Sequence, residues 1–367
     1  MFQRVFVKSL LLEEKKDFMK IEFQVLDYYR LKIYNGYFKI IGFKVNYMEE
    51  NSLYIVLAFY KFVKINDPLD EVKKQKLFFK DRDITSRIYI SEEGINGQMS
   101  GEKKAAMEYI DWMHSRDLFK DVEFKLHYWH EQVFPKVTVK YRKQLVAIDK
   151  KIDIANTGTH LSPADWTKML DLKDPKIIID TRNDYEWKIG HFEGAELPKC
   201  STFREFSDYA DKLENSTDKK TPVMMYCTGG IRCEVYSALL KEKGFENVYQ
   251  LDGGIINYGL KEGTKKWKGS LFVFDDRMTV PISADKYEVI GTCQECGEKT
   301  DCYYNCANMD CNKLFLSCQK CLENYRGCCD TTCMESPRVR PYCEQNPHKP
   351  FRKYHVYFGE KNKKNQT

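Results

Sequence analysis

No cysteine occurs before Cys200, although the chain of 367 residues carries 14 of them. Eleven fall between Cys293 and Cys343. That distribution argues against a disulfide framework, the alternative reading, and points to clustered metal ligands in a reducing compartment. No run of about 18 consecutive apolar residues exists, so neither a membrane span nor a membrane partner is expected. A signal-peptide core is also missing, because Glu13-Glu14-Lys15-Lys16-Asp17 interrupts the first apolar stretch. A cytoplasmic location is the expectation. A large excess of one charge sign is missing: the net +5 permits nucleic-acid binding without demanding it. No flavin or haem motif is seen. No Gly-rich dinucleotide loop opens a helix in the proper place, and no His-x-Asp/Glu with a distant His stands out among the 7 histidines.

What is present centres on Cys227-Thr228-Gly229-Gly230-Ile231-Arg232. The apolar run Val223–Tyr226 before it reads as a buried strand. Val235, Leu239 and Leu240 after it fit a helical face. A cysteine between a strand end and a helix start meets unpaired N–H groups and the positive end of the helix dipole, which favour a thiolate. Gly229 and Gly230 let the loop curl so that N–H groups point inward, and Arg232 adds a positive charge. The loop is therefore a cradle for thiolate, persulfide or covalent adduct. Its catalytic residues are expected to be Cys227 and Arg232, with Thr228, Gly229, Gly230 and Ile231 shaping it. The bland alternative is a buried cysteine at a strand end.

Asp180-Thr181-Arg182 ends a second apolar strand, Ile177–Ile179, and Leu251-Asp252-Gly253-Gly254 closes a third from Val248. With His191-Phe192-Glu193-Gly194-Ala195, this ordered set resembles a rhodanese domain from about His160 to Gly263. The resemblance implies a doubly wound α/β fold carrying sulfur or other groups on its loop cysteine. Asp180 and Arg182 are expected to support the loop. Cys233 reads as core, or as a thiol that resolves a persulfide on Cys227. His191 reads as a turn-fixing side chain, or as a group titrating near neutrality.

Residues 47–150 alternate as strand, helix, two strands, helix and strand, the ferredoxin-like α+β order, with one open sheet face. Of the last two expected strands, Val122–Tyr128 closes the unit and Lys136–Val146 is an addition. The whole chain reads as α/β multidomain: extension 1–46, ferredoxin-like 47–150, rhodanese 160–265, connector 266–290, Cys-rich 291–345 and basic tail 346–367. Met48 is expected as the natural start, with residues 1–47 an upstream misreading; the alternative is an extension that packs on the sheet.

Cys293-x-x-Cys296 and Cys318-x-x-Cys321 are paired knuckles with the spacing of a zinc ribbon or treble clef. Cys302, Cys306, Cys311, Cys328, Cys329 and Cys333 are candidates for a second site, with Cys306, Cys311, Cys328 and Cys329 the expected set. The zinc is expected to be structural, because little apolar material holds this region together.

Ile88–Gly101 and Tyr226–Glu234 together resemble signatures of the bacterial oxygen-dependent tRNA uridine(34) hydroxylases, a rhodanese-containing family, over about Tyr47 to Cys333. The resemblance implies conversion of wobble uridine to 5-hydroxyuridine, the tRNA anticodon loop as partner, molecular oxygen as co-substrate and an unknown reductant. It makes Cys227 the active cysteine. Covalent addition of its sulfur to uracil C6 would activate C5 toward oxygen. Lys140, Arg142 and Lys143, around Tyr141, fit phosphate tracking beside unpaired bases, as do Arg338, Arg340, Lys349, Arg352 and Lys353; a solvated charged face is the alternative. Two rival functions remain: a rhodanese-type sulfurtransferase carrying a persulfide to a thiol, protein or RNA, and a docking scaffold.

Overall fold

The computed structural model describes residues 53–342 and, before them, the backbone of three strands. Those strands, β1 (Glu22–Val25), β2 (Tyr29–Tyr34) and β3 (Tyr37–Phe43), pair antiparallel in the order β1-β2-β3 and belong to a separate unit, Met1–Ser52. The expected start at Met48 and the basic tail with Lys349, Arg352 and Lys353 lie outside the described residues.

The second unit opens with β4 (Tyr54–Phe62), α1 (Pro68–Phe79), β5 (Ile84–Ser91), β6 (Gly94–Glu102), α2 (Lys103–His114), β7 (Lys125–Trp129) and β8 (Val137–Tyr141). Local chemistry sets these elements. Asp67 accepts from the Asp70 N–H at 2.9 Å and Pro68 fills the first helical turn of α1. Period-two burial in β5 turns Ile84, Ile88 and Ile90 inward. Ala106, Tyr109, Ile110 and Met113 form the inner stripe of α2. The sheet order is β7-β4-β6-β5-β8. The ferredoxin-like closing strand is thus β7, on β4. The added β8 runs parallel to β5 at the other edge.

Next come β9 (Thr159–Leu161), α3 (Pro163–Asp171), β10 (Ile177–Asp180), α4 (Asp184–Trp187), β11 (Gly190–Phe192), α5 (Phe206–Ser216), β12 (Val223–Tyr226), α6 (Ile231–Glu242), β13 (Val248–Leu251) and α7 (Gly254–Glu262). Strands β10-β12-β13-β9 form a parallel sheet in that order. Val223 and Met225 pack in the cluster that holds α5 and α6, whereas Met224 and Tyr226 pack in the one that holds α3 and α7. Both faces of β12 are covered, which is why it is apolar at every position. Each such side chain is worth roughly 1.5–3 kcal/mol relative to exposure.

The segment expected as a connector is part of the fold. Strand β14 (Trp267–Gly269) pairs with β11, and β15 (Leu271–Phe272) with β16 (Thr279–Val280). The Cys-rich region holds β17 (Tyr303–Asn305), β18 (Leu314–Leu316), α8 (Gln319–Asn324) and α9 (Thr331–Met334). Its Tyr303 and Leu316 pack with Ile189, Phe272 and Met278, and Tyr303 Oη donates to the Tyr185 carbonyl at 2.7 Å. No helix among the described residues is long and apolar enough to cross a membrane.

Candidate active site

Cys227 follows β12, and Gly230 caps the N-terminus of α6. Its sulfur accepts the Gly230 N–H at 3.1 Å. The loop carbonyls are drawn elsewhere. Ile255 N–H donates to the Cys227 carbonyl at 3.0 Å and Ile256 N–H to that of Thr228 at 3.2 Å. Lys125 Nζ reaches across from β7 to the Gly229 carbonyl at 2.8 Å. Carbonyls tied outward leave amides free to face the sulfur. Two glycines make this path possible. Gly230 lies at φ +106°, where a Cβ would stand 2.8 Å from Tyr60 Oη. Gly254 lies at φ +68°, where a Cβ would stand 2.6 Å from the Cys227 carbonyl oxygen.

Burial opposes ionisation of Cys227, which is only 1% exposed. The Cys233 thiol, the Arg232 guanidinium and the N–H groups of Gly230 and Arg232 outweigh burial and hold the Cys227 thiol well below its ordinary range. Burial and the neighbouring Cys227 push Cys233 up, so Cys233 stays a neutral thiol. It is fully buried, with its sulfur 3.5 Å from Thr181 Oγ1.

Arg232 does not use its fork on loop carbonyls. It grips Glu186 of α4, Nη1 to Oε1 at 2.5 Å and Nη2 to Oε2 at 2.9 Å, and also reaches Thr228 Oγ1 at 3.3 Å. Glu186 has no exposure and also accepts the Asn183 N–H at 3.0 Å. Sequence reading missed it, and the one available signal is an acid three residues after Asn183 at a helix start. Asp180 and Arg182 pair with each other instead. Arg182 Nε donates to Asp180 Oδ1 at 2.8 Å, and Nη2 reaches the Gly190 carbonyl at 2.6 Å. Both are wholly buried, and the Arg182 guanidinium lies over the Tyr226 and Trp267 rings. His191 Nδ1 donates to the Trp187 carbonyl at 3.0 Å and fixes that turn.

Opposite the loop lies the open face of the first sheet. A cleft of about 380 Å³ separates them, bordered by Ala58, Arg87, Tyr89 and Gln98 on one side and Cys227 and Arg232 on the other. Tyr60 joins the two sides by donating to Glu234 Oε1 at 3.0 Å, and Glu234 also takes His160 Nε2 at 2.9 Å and Gln250 Nε2 at 3.0 Å. Burial opposes ionisation of Glu234, but these three partners hold its carboxyl below the usual range. Lys140, Arg142 and Lys143 are exposed. Arg142 stacks over Tyr89 at 5.0 Å and so stands by the cleft. Arg338 pairs with Asp310 at 2.8 Å. Arg340 is buried and donates to the Asn305 carbonyl at 2.9 Å, which removes it from the expected RNA-facing set.

The Cys-rich region brings sulfurs together in two groups, each with mutual distances within 4.8 Å: Cys293, Cys296, Cys318 and Cys321, and Cys306, Cys311, Cys329 and Cys333. Separations of 3.6 Å (Cys296–Cys318), 3.8 Å (Cys311–Cys329) and 3.8 Å (Cys329–Cys333) fit the edge of a tetrahedron with Zn–S bonds of about 2.3 Å, which is about 3.8 Å. The donor set suits zinc. The second group corrects the expected one, since Cys333 stands where Cys328 was expected. Cys328 shares the apolar cluster of Tyr304 and Phe315 with Cys306, Cys329 and Cys333, and its thiol lies against that of Cys306, but its sulfur is outside the four-sulfur group. Cys333 lies four residues after Cys329, on α9, where Asp330 caps the helix. The pairs alternate along the chain, first and third in one group, second and fourth in the other.

A thiolate-holding loop at the carboxyl ends of a parallel, doubly wound sheet defines a rhodanese-type domain. Comparison with known families agrees: residues 162–261 match the rhodanese-like domain, 54–145 the UPF0176 acylphosphatase like domain, and 268–334 the rhodanase C-terminal family. A protein of Protochlamydia amoebophila named tRNA uridine(34) hydroxylase is 57% identical over 314 residues, covering 85% of this chain and 98% of its own. Proteins of the same name from Chlamydia trachomatis and Chlamydia muridarum are 52% and 53% identical over 312 residues, covering 84% of this chain and 94% of theirs. The chain belongs to the tRNA uridine(34) hydroxylase family.

Proposed function

We propose that this chain hydroxylates C5 of uridine 34 in the tRNA anticodon loop, in the cytoplasm, with molecular oxygen as oxidant and Cys227 as covalent catalyst. The observation that carries the reading is the placement of Cys227, an activated sulfur bordering a cleft whose far wall is polar. Anticodon bases are unpaired and can be splayed into such a cleft. The Cys227 thiolate adds to uracil C6, and the electron pair of the C5–C6 bond moves to C5 as an enolate. Oxygen bonds to C5. One oxygen atom stays there and the other leaves as water, with two electrons and two protons supplied by a reductant partner. Loss of the C5 proton and of the C6–S bond restores the ring and the thiolate. Arg232, held by Glu186, and the loop amides stabilise the thiolate at the start and end of this cycle. Exposed Lys140, Arg142 and Lys143 contact tRNA phosphates.

Two structural zinc ions complete the proposal, one on Cys293, Cys296, Cys318 and Cys321 and one on Cys306, Cys311, Cys329 and Cys333. With four protein ligands each, neither has an open position for chemistry.

The test is nucleoside mass spectrometry on tRNA from cells that lack their own hydroxylase and express this chain. Wild type should restore 5-hydroxyuridine, and Cys227→Ala should not. Restoration by Cys227→Ala would remove the covalent role. New thionucleosides without 5-hydroxyuridine would replace the hydroxylase reading with the sulfurtransferase.

A further inference from the structure

We propose that the open face of the N-terminal sheet reads the base itself, with Gln98 orienting uracil and Arg87 rejecting cytosine. This rests on the hydroxylase reading above and names residues that decide its specificity.

Strand register arranges that face in two rows. Arg87, Gln98, Ala58 and Lys125 are successive cross-strand partners over β5-β6-β4-β7. Tyr89, Asn96 and Tyr60 form the next row on the same face. These residues border the same cleft as Cys227. Two of them have structural tasks: Lys125 holds the Gly229 carbonyl, and Tyr60 holds Glu234. Arg87, Asn96 and Gln98 are half-buried, and among the described residues their side chains have no hydrogen-bond or ion-pair partner. Their polar atoms are left to water in the cleft, and a ligand with matching polar edges would take the place of that water. Ala58, between Gln98 and Lys125, leaves a low floor on which a flat ring can lie.

Uracil presents an N3–H donor between two carbonyl acceptors. A glutamine amide offers one acceptor and two donors side by side, which matches N3–H and O4 together. Rotation of the same amide also matches cytosine, so Gln98 alone orients without discriminating. Arg87 supplies donors only. A donor aimed at O4 is satisfied by uracil and opposed by the amino group that cytosine carries at that position. Discrimination therefore falls to Arg87.

The experiment uses the full chain and anticodon stem-loop RNAs with U or C at position 34. Binding is read by fluorescence anisotropy, and 5-hydroxyuridine is read in cells as above. Wild type should prefer the U34 RNA by about 10-fold or more, the size expected of one well-placed base contact. Arg87→Ala should bring the two affinities together. Gln98→Ala should weaken both. In each variant the rate of Cys227 alkylation should stay at the wild-type value, which shows that the loop is undisturbed. Wild-type preference retained by Arg87→Ala, or no preference in wild type, overturns the inference while restored 5-hydroxyuridine leaves the hydroxylase reading standing. U34 preference in a wild-type chain that forms no 5-hydroxyuridine would support base reading and remove the hydroxylase reading.

Discussion

Cys227 and the cysteines beyond Cys293 are the same residue in opposite settings. Around Cys227, backbone amides, an arginine and one neutral thiol converge on a single sulfur. Covalent structure and packing alone build that arrangement: β12 lies under both helix layers, α7 ties the loop carbonyls, and Glu186 anchors Arg232. In the C-terminal region, four sulfurs crowd together twice, with few apolar neighbours to hold them. Such a set needs a cation to offset the repulsion of its thiolates. A cysteine's role is thus set by what stands near it. One sulfur amid N–H donors is set up as a nucleophile, and four at tetrahedral spacing could hold a metal.

The largest test of that contrast is metal removal. Zinc contributes on the order of 10 kcal/mol to folding in small domains. A strong chelator should release two zinc ions per chain, by elemental analysis, and melt residues 291–342 before the rhodanese domain, by hydrogen exchange. Because the cysteine pairs alternate between sites, Cys306→Ser should also weaken metal binding at the Cys293 site. Iodoacetamide should still alkylate Cys227 in the chelated protein. Loss of both properties together would break the contrast and tie the loop to the metal through the Tyr303–Tyr185 contact.

A smaller effect should follow from the Arg232–Glu186 pair. Removing one partner of a buried ion pair costs about 3–5 kcal/mol. Glu186→Ala should lower stability by that order in denaturant melts. Arg232→Lys keeps the charge but cannot engage both carboxylate oxygens and Thr228. It should lose Cys227 alkylation rate nearly as far as Arg232→Ala does. Near-normal reactivity of the lysine variant would mean that charge, not shape, activates the sulfur.

The smallest effect is in pH. Cys227 titrates below the ordinary thiol value of about 8.5. Its alkylation rate should therefore reach a plateau below that pH. A depressed pKa adds stability that is present above the unfolded value and is lost as pH falls through the folded one. Cys227→Ser should erase that slope. An alkylation midpoint at or above about 8.5 would refute thiolate stabilisation by the loop.

Local features were legible. The Cys227 loop lies within one strand–turn–helix, so its residues and their chemistry are contiguous. The strands Ile177–Asp180 and Val223–Tyr226 were legible because burial on both faces makes them continuously apolar. The first site's paired CxxC knuckles were legible by spacing. The grouping of Cys333 rather than Cys328 with Cys306, Cys311 and Cys329 was not, because six closely spaced cysteines leave the set of four open until α9 places Cys333. Arg340 looked like a surface cation from its basic neighbourhood, yet the fold buries it against carbonyls.

By itself, the sequence determined the kinds of domain present, the cysteine-bearing loop and the clustering of the C-terminal cysteines, since each rests on residues near one another in the chain. Only the tertiary structure decided what faces the nucleophile. Lys125 lies 104 residues in sequence from Gly229, and Tyr60 lies 174 from Glu234. Arg87 and Gln98 come to the cleft through strand register and domain packing. No local pattern encodes those meetings. They follow from burial of a core on one face of the β4–β8 sheet and of a core on each face of the parallel sheet, which leaves the open polar face of the one against the loop end of the other.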